Sequence, residues 1–302
     1  MSRTRLVSRV RNLDQVLNSE TRIGRLARTC VLTAAISLGG GCQSTEEVER
    51  TFGYGQAFIP AEATVSGSEV RYRGALLSDR SFVAEQSSQG YRELAGSWLD
   101  AAQAHVKPGT RWPVVVFLHG CKGYGLYTTR VAEYYLAAGM VVVAPNSMNR
   151  PGRTAMCNSG QMAYRAILRR QEARYAAEQL LALSWVDPGK MVLAGQSEGG
   201  NSVAAYSGDE FAAHIITGTN CSHNGGSVSA PSGTPVLAIK GSIDTTYPDG
   251  SCSVRRTDGG SRSIVIPNEG HMALLSGEAK AAIYQFLRAC CDIHSGAAAR
   301  VD

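Results

Sequence analysis

The sequence of 302 residues predicts an α/β fold whose sheet is largely parallel and covered by helices on both faces. Two observations support this fold class. From residue 114 onward, short apolar runs alternate with longer stretches that have helical spacing, as in repeated strand–helix units. The apolar runs are also continuous, which is typical of strands buried on both faces. A single domain over residues 52–292, without internal repeats, fits this pattern.

The predicted elements follow in order along the chain. Strands are predicted at residues 114–118, 140–144, 190–194, 214–218, 235–240 and 263–266. Helices are predicted at residues 128–138, 163–183, 200–206 and 278–290. Gly139 and the Asp187-Pro188 turn mark two of the helix ends. Before residue 114 the pattern is weaker, and only residues 70–76 alternate as an antiparallel edge strand does.

The first 42 residues differ in composition from the rest of the chain. They carry seven arginines against Asp14 and Glu20, a net charge of 7 − 2 = +5. A short apolar stretch and three glycines then precede Cys42, which is the pattern of an export signal. This segment resembles the signal of bacterial lipoproteins, and the resemblance implies that Cys42 is lipidated. The alternative is a basic cytosolic tail.

The charge of this segment equals the formal net charge of the whole chain, +5, so the remaining 302 − 42 = 260 residues are near neutral. They contain no basic block and no interleaved aromatic–basic run, so we expect no nucleic-acid partner. The chain divides into a signal segment at 1–42, a polar tether at 43–51, the folded domain at 52–292 and a flexible tail at 293–302. Membrane attachment would come through a lipidated Cys42, because the apolar stretch is too short to span a bilayer.

The stretch Gly195-Gln196-Ser197-Glu198-Gly199 has the pattern G-x-S-x-G. It follows a predicted strand and precedes a predicted helix, and a serine on such a turn presents its hydroxyl outside the backbone. Flanking glycines allow the strand and the helix to approach closely. The context favours Ser197 as a nucleophile over the alternative, an ordinary glycine-rich turn.

A serine hydroxyl is a weak nucleophile until a base takes its proton, and the base needs a third group to orient it. Asp244 and His271 each come soon after a predicted strand, so they should lie at the same edge of a parallel sheet as Ser197. The chain order Ser197, Asp244, His271 is the one found in α/β-hydrolases. Asp249 and Asp258 are alternative candidates for the role of Asp244. None of the other five histidines directly follows the last predicted strand, as His271 does.

An oxyanion hole is predicted beside this triad. The turn after the first parallel strand, His119-Gly120-Cys121, can direct the N–H of Cys121 toward Ser197, and the N–H of Glu198 would supply the second donor. We expect His119 to brace this turn. The side chain of Glu198 is interpreted as an acid that favours the start of a helix, with a second carboxylate near the chemistry as the alternative.

Over roughly residues 110–290 these motifs, together with Gly241-Ser242-Ile243-Asp244, resemble the dienelactone hydrolase-like branch of the α/β-hydrolase superfamily. The namesake enzymes carry a cysteine in the elbow, where this chain has Ser197. The resemblance therefore implies a serine esterase of that fold, which acts on a small-molecule ester without a cofactor. A peptidase or acyltransferase with the same triad, or a tethered binding protein without turnover, remains open.

Six of the eight cysteines lie beyond the signal segment, a number that suits an oxidising compartment. In the strand arrangement that the resemblance implies, Cys121 and Cys157 follow neighbouring strands, and so do Cys221 and Cys252. We therefore predict the disulfides Cys121–Cys157 and Cys221–Cys252, each at an active-site loop. Cys290 and Cys291 should lie at the opposite edge of the sheet, and their pairing stays open.

Two further features concern ligands. Arg150 and Arg153, in the polar loop at 145–161, are candidates for the substrate pocket, where they would favour an acidic ester; the alternative is that both are solvated. Cys221 and His223 are close in sequence, but no further ligands stand at zinc-like spacing, so no metal site is predicted.

Overall fold

A computed structural model of the chain describes residues 55–59, 106–107, 109–123, 126–149, 153, 157, 162–222, 225–248, 250–254 and 260–294. All of these residues belong to one compact unit, Thr51–Asp302. The predicted signal segment with Cys42, the tether, the edge strand at 70–76 and Arg150 lie outside the described residues. Within the described part of the chain, no helix is both long and apolar enough to cross a membrane.

Seven strands form one sheet. They are β1 (Gly55–Phe58), β2 (Trp112–Leu118), β3 (Val141–Pro145), β4 (Val186–Gln196), β5 (Ala213–Thr217), β6 (Val236–Gly241) and β7 (Arg262–Ile266). Their spatial order is β1-β3-β2-β4-β5-β6-β7. Every neighbouring pair is parallel except β1 with β3. A parallel sheet of this order, with an antiparallel edge strand and the serine turn directly after β4, is the α/β-hydrolase fold that the sequence predicted.

Among the described residues, four α-helices cover the two faces of the sheet. They are α1 (Leu126–Ala137), α2 (Met162–Leu181), α3 (Glu198–Ala204) and α4 (Gly277–Cys291). Alternate residues of a strand point to opposite faces, and β2 shows the consequence. Val114, Val116 and Leu118 pack in one core with residues of α2 and α3. Val115 and Phe117 pack in a second core with residues of α1 and α4.

The structure differs from the sequence expectations at one strand and two boundaries. β1, a short stretch that the sequence pattern did not indicate as a strand, pairs antiparallel with β3. β4 begins at Val186 rather than at residue 190, because Trp112 donates its N–H to Trp185 O at 2.7 Å and the ladder starts there. At the carboxyl end, Ile293 is buried in the second core, so packing extends one residue past the predicted boundary.

Candidate active site

Ser197 lies on a sharp turn between β4 and α3. Its backbone has φ 56° and ψ −115°, a conformation that a residue with a side chain rarely adopts. Two hydrogen bonds hold the turn: Ser197 N–H donates to Thr217 O and Asn201 N–H donates to Ser197 O, both at 2.9 Å. The side chain is buried at the carboxyl edge of the sheet. This is the strained strand-to-helix elbow that the sequence motif predicted.

The glycines around Ser197 are required by the close approach of strand and helix. A Cβ on Gly195 would lie 2.5 Å from Gly199 O. A Cβ on Gly199 would collide with Leu118 O on the neighbouring strand β2. The elbow can therefore form only where both positions lack a side chain.

Asp244 and His271 meet at the same edge. His271 Nδ1 lies 3.0 Å from Asp244 Oδ2. The other carboxylate oxygen, Oδ1, accepts the N–H groups of Thr246 at 2.8 Å and Tyr247 at 3.2 Å. The carboxylate is fully buried and the imidazole is partly exposed. This arrangement directs the Nδ1 proton to Asp244 and leaves the lone pair on His271 Nε2.

Gln196 is a neighbour of His271 that the sequence did not indicate. Its amide nitrogen lies 3.2 Å from His271 Nε2 and 3.5 Å from His271 O. A Cβ on Gly120 would lie 2.7 Å from the amide oxygen of Gln196, so this buried side chain runs from the turn after β2 to the base. In this structure the lone pair on His271 Nε2 accepts a hydrogen bond from Gln196. The same lone pair would have to accept the proton of a serine nucleophile.

The turn after β2 lies against the elbow. A Cβ on Gly120 would be 3.5 Å from Ser197 Cβ, and Gly123 N–H donates to Gly120 O at 3.1 Å to close the turn. Cys121 lies in this turn. Glu198 is the first residue of α3, where backbone N–H groups have no acceptor within the helix. The structure therefore places the turn that contains Cys121 against the elbow, and Glu198 directly follows Ser197 in the chain.

The buried side chain of His119 holds this turn in place. Its Nδ1 lies 2.7 Å from Gly120 O, and its Nε2 accepts the N–H of Ser147 at 3.2 Å. Arg169 on α2 places Nη1 3.0 Å from His119 Nε2 and donates from Nη2 to His119 O at 3.1 Å. These buried contacts give His119 the bracing role that the sequence suggested.

Glu198 is the acid in the first turn of α3 that the sequence suggested, and it has buried partners that the sequence did not indicate. Its Oε1 lies 2.5 Å from Arg153 Nη2, and its Oε2 lies 3.6 Å from Arg165 Nη1; all three side chains are buried. Burial lowers the pKa of Arg153, while the Glu198 carboxylate acts in the opposite direction. Arg153 is therefore a buried partner of Glu198 and not a solvated residue.

The two predicted disulfides are present. Cys121 is bonded to Cys157 and Cys221 to Cys252. Cys290 and Cys291, whose pairing the sequence left open, form a third disulfide between adjacent residues at the end of α4. The next residue, Asp292, accepts a hydrogen bond from Lys190 Nζ at 3.0 Å. Lys190 lies toward the amino end of β4, whereas Ser197 follows its carboxyl end. The end of α4 therefore lies at the edge of the sheet opposite Ser197, as predicted.

Comparisons with known proteins give only distant likenesses. No protein-family model matches the chain, and no curated protein matches it. Among solved structures, esterase PE8 has 17% identity and a TM-score of 0.42, with coverage of 60% of this chain and 94% of that chain. Est1E from Butyrivibrio proteoclasticus has 13% identity and a TM-score of 0.42, with coverage of 59% and 87%. Methylesterase BT1017 has 17% identity and a TM-score of 0.48, with coverage of 63% and 51%.

Proposed function

We propose that this protein is a serine hydrolase that cleaves carboxylic esters through an acyl-enzyme. The observation that carries the proposal is the elbow at Ser197, with φ 56°, at the same sheet edge as the Asp244–His271 hydrogen bond of 3.0 Å. Asp244 and His271 occupy the loops after β6 and β7, where an α/β-hydrolase carries its acid and its base. The three residues thus have both the order and the positions of a nucleophile, an orienting acid and a base.

In this mechanism Ser197 Oγ attacks the ester carbonyl carbon while its proton moves to His271 Nε2. The amide nitrogen of Gln196, which is hydrogen-bonded to His271 Nε2 in this structure, must move away from it before this transfer. The carbonyl oxygen gains negative charge and accepts the N–H groups of Cys121 and Glu198. When this tetrahedral intermediate collapses, the alcohol leaves and takes the proton from His271. Water then attacks the acyl carbon and transfers a proton to His271. When the bond between the acyl carbon and Ser197 Oγ breaks, His271 returns the proton to Ser197 and the carboxylic acid departs.

The substrate that fits best is a small ester with an apolar portion. Ile243 and Met272 directly adjoin Asp244 and His271 in sequence, and they are 61% and 42% exposed. Exposed apolar side chains next to both triad partners offer contact area to an acyl or aryl group. Arg153 is paired with Glu198, so it does not support the acidic ester that the sequence suggested.

We further propose that the protein is exported and tethered to the cell envelope through a lipidated Cys42. Three disulfides in the described domain suit an oxidising compartment. The basic lead and the short apolar stretch before Cys42 supply the signal.

Hydrolysis of a panel of short-chain aryl esters tests the proposed activity. The wild-type protein is expected to hydrolyse them and to react with a fluorophosphonate probe. Ser197→Ala is expected to lose both, whereas Ser222→Ala, an exposed serine in a nearby loop, is expected to retain both. Labelling that persists in Ser197→Ala would contradict the assignment. A wild type that hydrolyses peptides but not esters would favour the peptidase alternative.

A further inference from the structure

The side chain of Gln196 lies in a narrow slot beside His271 and is only 4% exposed. Two glycines line this slot. A Cβ on Gly120 would lie 2.7 Å from the Gln196 amide oxygen. A Cβ on Gly218, directly after β5, would lie 3.0 Å from the Gln196 amide nitrogen and 3.1 Å from His271 O. Because both positions lack a side chain, the amide can reach His271.

Two acceptors on His271 determine which end of the Gln196 amide faces the imidazole. Asp244 Oδ2 lies 3.0 Å from His271 Nδ1 and accepts its proton, so Nε2 carries a lone pair. The backbone oxygen of His271 is the second acceptor. The Gln196 amide nitrogen lies 3.2 Å from Nε2 and 3.5 Å from that oxygen. Only the nitrogen end of an amide can donate to two acceptors.

The imidazole is held on two sides, so the amide is the partner that can move. Asp244 holds Nδ1, and the ring of Tyr247 packs beside the imidazole with centroids 5.8 Å apart and planes tilted by 33°. The Gln196 side chain is long and unbranched. When it turns away from Nε2 it keeps His271 O as an acceptor, so release of Nε2 costs one hydrogen bond rather than two.

We propose that Gln196 masks the base in the free enzyme and that a bound ester releases it. The proposal rests on the proposed function, in which His271 Nε2 takes the Ser197 proton and then gives it to the leaving alcohol. To receive that proton, the alcohol oxygen of the ester must come within hydrogen-bond distance of Nε2, where the amide nitrogen already lies. The alcohol side of the ester therefore displaces the amide toward His271 O, and Nε2 is free only while an ester fills the site.

The mask acts on the free enzyme and not on the enzyme–ester complex. When only a fraction of the free molecules can bind productively, the apparent affinity falls by that fraction. The net free energy of a typical side-chain hydrogen bond corresponds to a factor of roughly 2 to 10. The mask therefore raises KM by about this factor and leaves kcat unchanged. A residue that only positioned the imidazole would show the opposite pattern, since its loss would lower kcat.

Gln196→Met tests the mask, because methionine has a similar length and cannot donate a hydrogen bond. We expect KM for an aryl ester to fall about 2- to 10-fold with kcat within roughly twofold of the wild type. Gln285→Met, the same substitution at an exposed position of α4, should leave both constants unchanged. Thermal unfolding shows whether each variant is folded. If Gln196→Met is not, Gln196→Leu removes the same donor.

Chemical modification of histidine measures the mask without ester hydrolysis. Diethyl pyrocarbonate transfers an ethoxycarbonyl group to an imidazole nitrogen with a free lone pair, and carbon dioxide and ethanol leave. His271 is partly exposed, so the reagent can reach it. In a Ser197→Ala background, peptide mass mapping should show His271 modified about 2- to 10-fold faster once Gln196→Met is added. His294, exposed beyond the end of α4, is the internal reference and should react at the same rate in both proteins.

The mask and the proposed function fail on different results. Unchanged or slower modification of His271 in a folded Gln196→Met protein overturns the mask and leaves the triad standing. A fall in kcat at unchanged KM also overturns the mask and makes Gln196 a positioning residue. A wild type that neither hydrolyses esters nor reacts with a fluorophosphonate overturns the proposed function. The modification rate of His271 still decides in that case whether Gln196 covers Nε2.

Discussion

At the scale of single residues, the proposed base, His271, depends on Asp244. The buried carboxylate receives the Nδ1 proton of His271 at 3.0 Å, and two backbone N–H groups hold the other oxygen. A group fixed in this way selects one tautomer of the imidazole. Only in that tautomer does Nε2 carry the lone pair that must accept the serine proton.

Asp244→Asn is therefore expected to lower kcat by about 10³- to 10⁴-fold with a small change in KM, because an amide can favour the wrong tautomer. Steady-state hydrolysis of an aryl ester measures the effect. Asp187→Asn, at the exposed start of β4 where Asp187 Oδ1 accepts the N–H of Gly189, should retain activity. An Asp244→Asn enzyme within tenfold of the wild type would remove Asp244 from the triad.

A second residue-scale prediction concerns the ion pair beside the nucleophile. Glu198→Gln would leave the buried guanidinium of Arg153 without its carboxylate partner, and breaking one side of a buried pair typically costs about 3–5 kcal/mol. Chemical denaturation should show that loss in the free energy of unfolding. The double variant Glu198→Gln with Arg153→Gln should recover part of it, since the buried guanidinium of Arg153 is gone while that of Arg165 remains. Equal stability of Glu198→Gln and wild type would contradict the account of this pair.

At the scale of elements, one segment fixes both oxyanion donors. Cys157 holds Cys121 through a disulfide, and Arg153, four positions earlier, holds Glu198 through an ion pair. The N–H groups of Cys121 and Glu198 are the donors in the proposed mechanism. Their spacing therefore depends on a loop that contributes no triad residue of its own.

Replacing both Cys121 and Cys157 by serine is expected to lower kcat by roughly 10- to 100-fold, because a misplaced donor forfeits part of the oxyanion stabilisation. The free energy of unfolding should also fall by about 2–4 kcal/mol, as is typical for a lost disulfide. The matched control replaces Cys290 and Cys291 by serine at the opposite edge, where kcat should not change. Unaltered kcat in the Cys121/Cys157 variant would show that the turn is held without the disulfide.

At the scale of the whole molecule, sequence periodicity predicted the inner strands and long helices because continuous apolar runs on a buried sheet leave a strong signal. Chain order then placed Ser197, Asp244 and His271 at one edge. The edge strand Gly55–Phe58 was missed because it is short and is stabilised by pairing with β3 rather than by its own pattern. The contact of Gln196 with His271 and the Glu198–Arg153 pair were missed because they join residues far apart in sequence.

The proposed location of the molecule is also testable. If Cys42 carries a lipid, the full chain expressed in a bacterium should partition into detergent and the membrane fraction. Cys42→Ala should move it to the soluble periplasmic fraction with kcat unchanged, because the catalytic domain is separate in sequence from Cys42. Membrane association that persists in the variant would contradict lipidation at this residue.

The central claim is that Ser197 becomes acylated during turnover. Rapid acid quenching during hydrolysis of a short-chain aryl ester, followed by peptide mass mapping, measures this directly. We expect an acyl adduct on the peptide that contains Ser197 and none in Ser197→Ala. An adduct on any other residue, or turnover by Ser197→Ala at the wild-type rate, would contradict it.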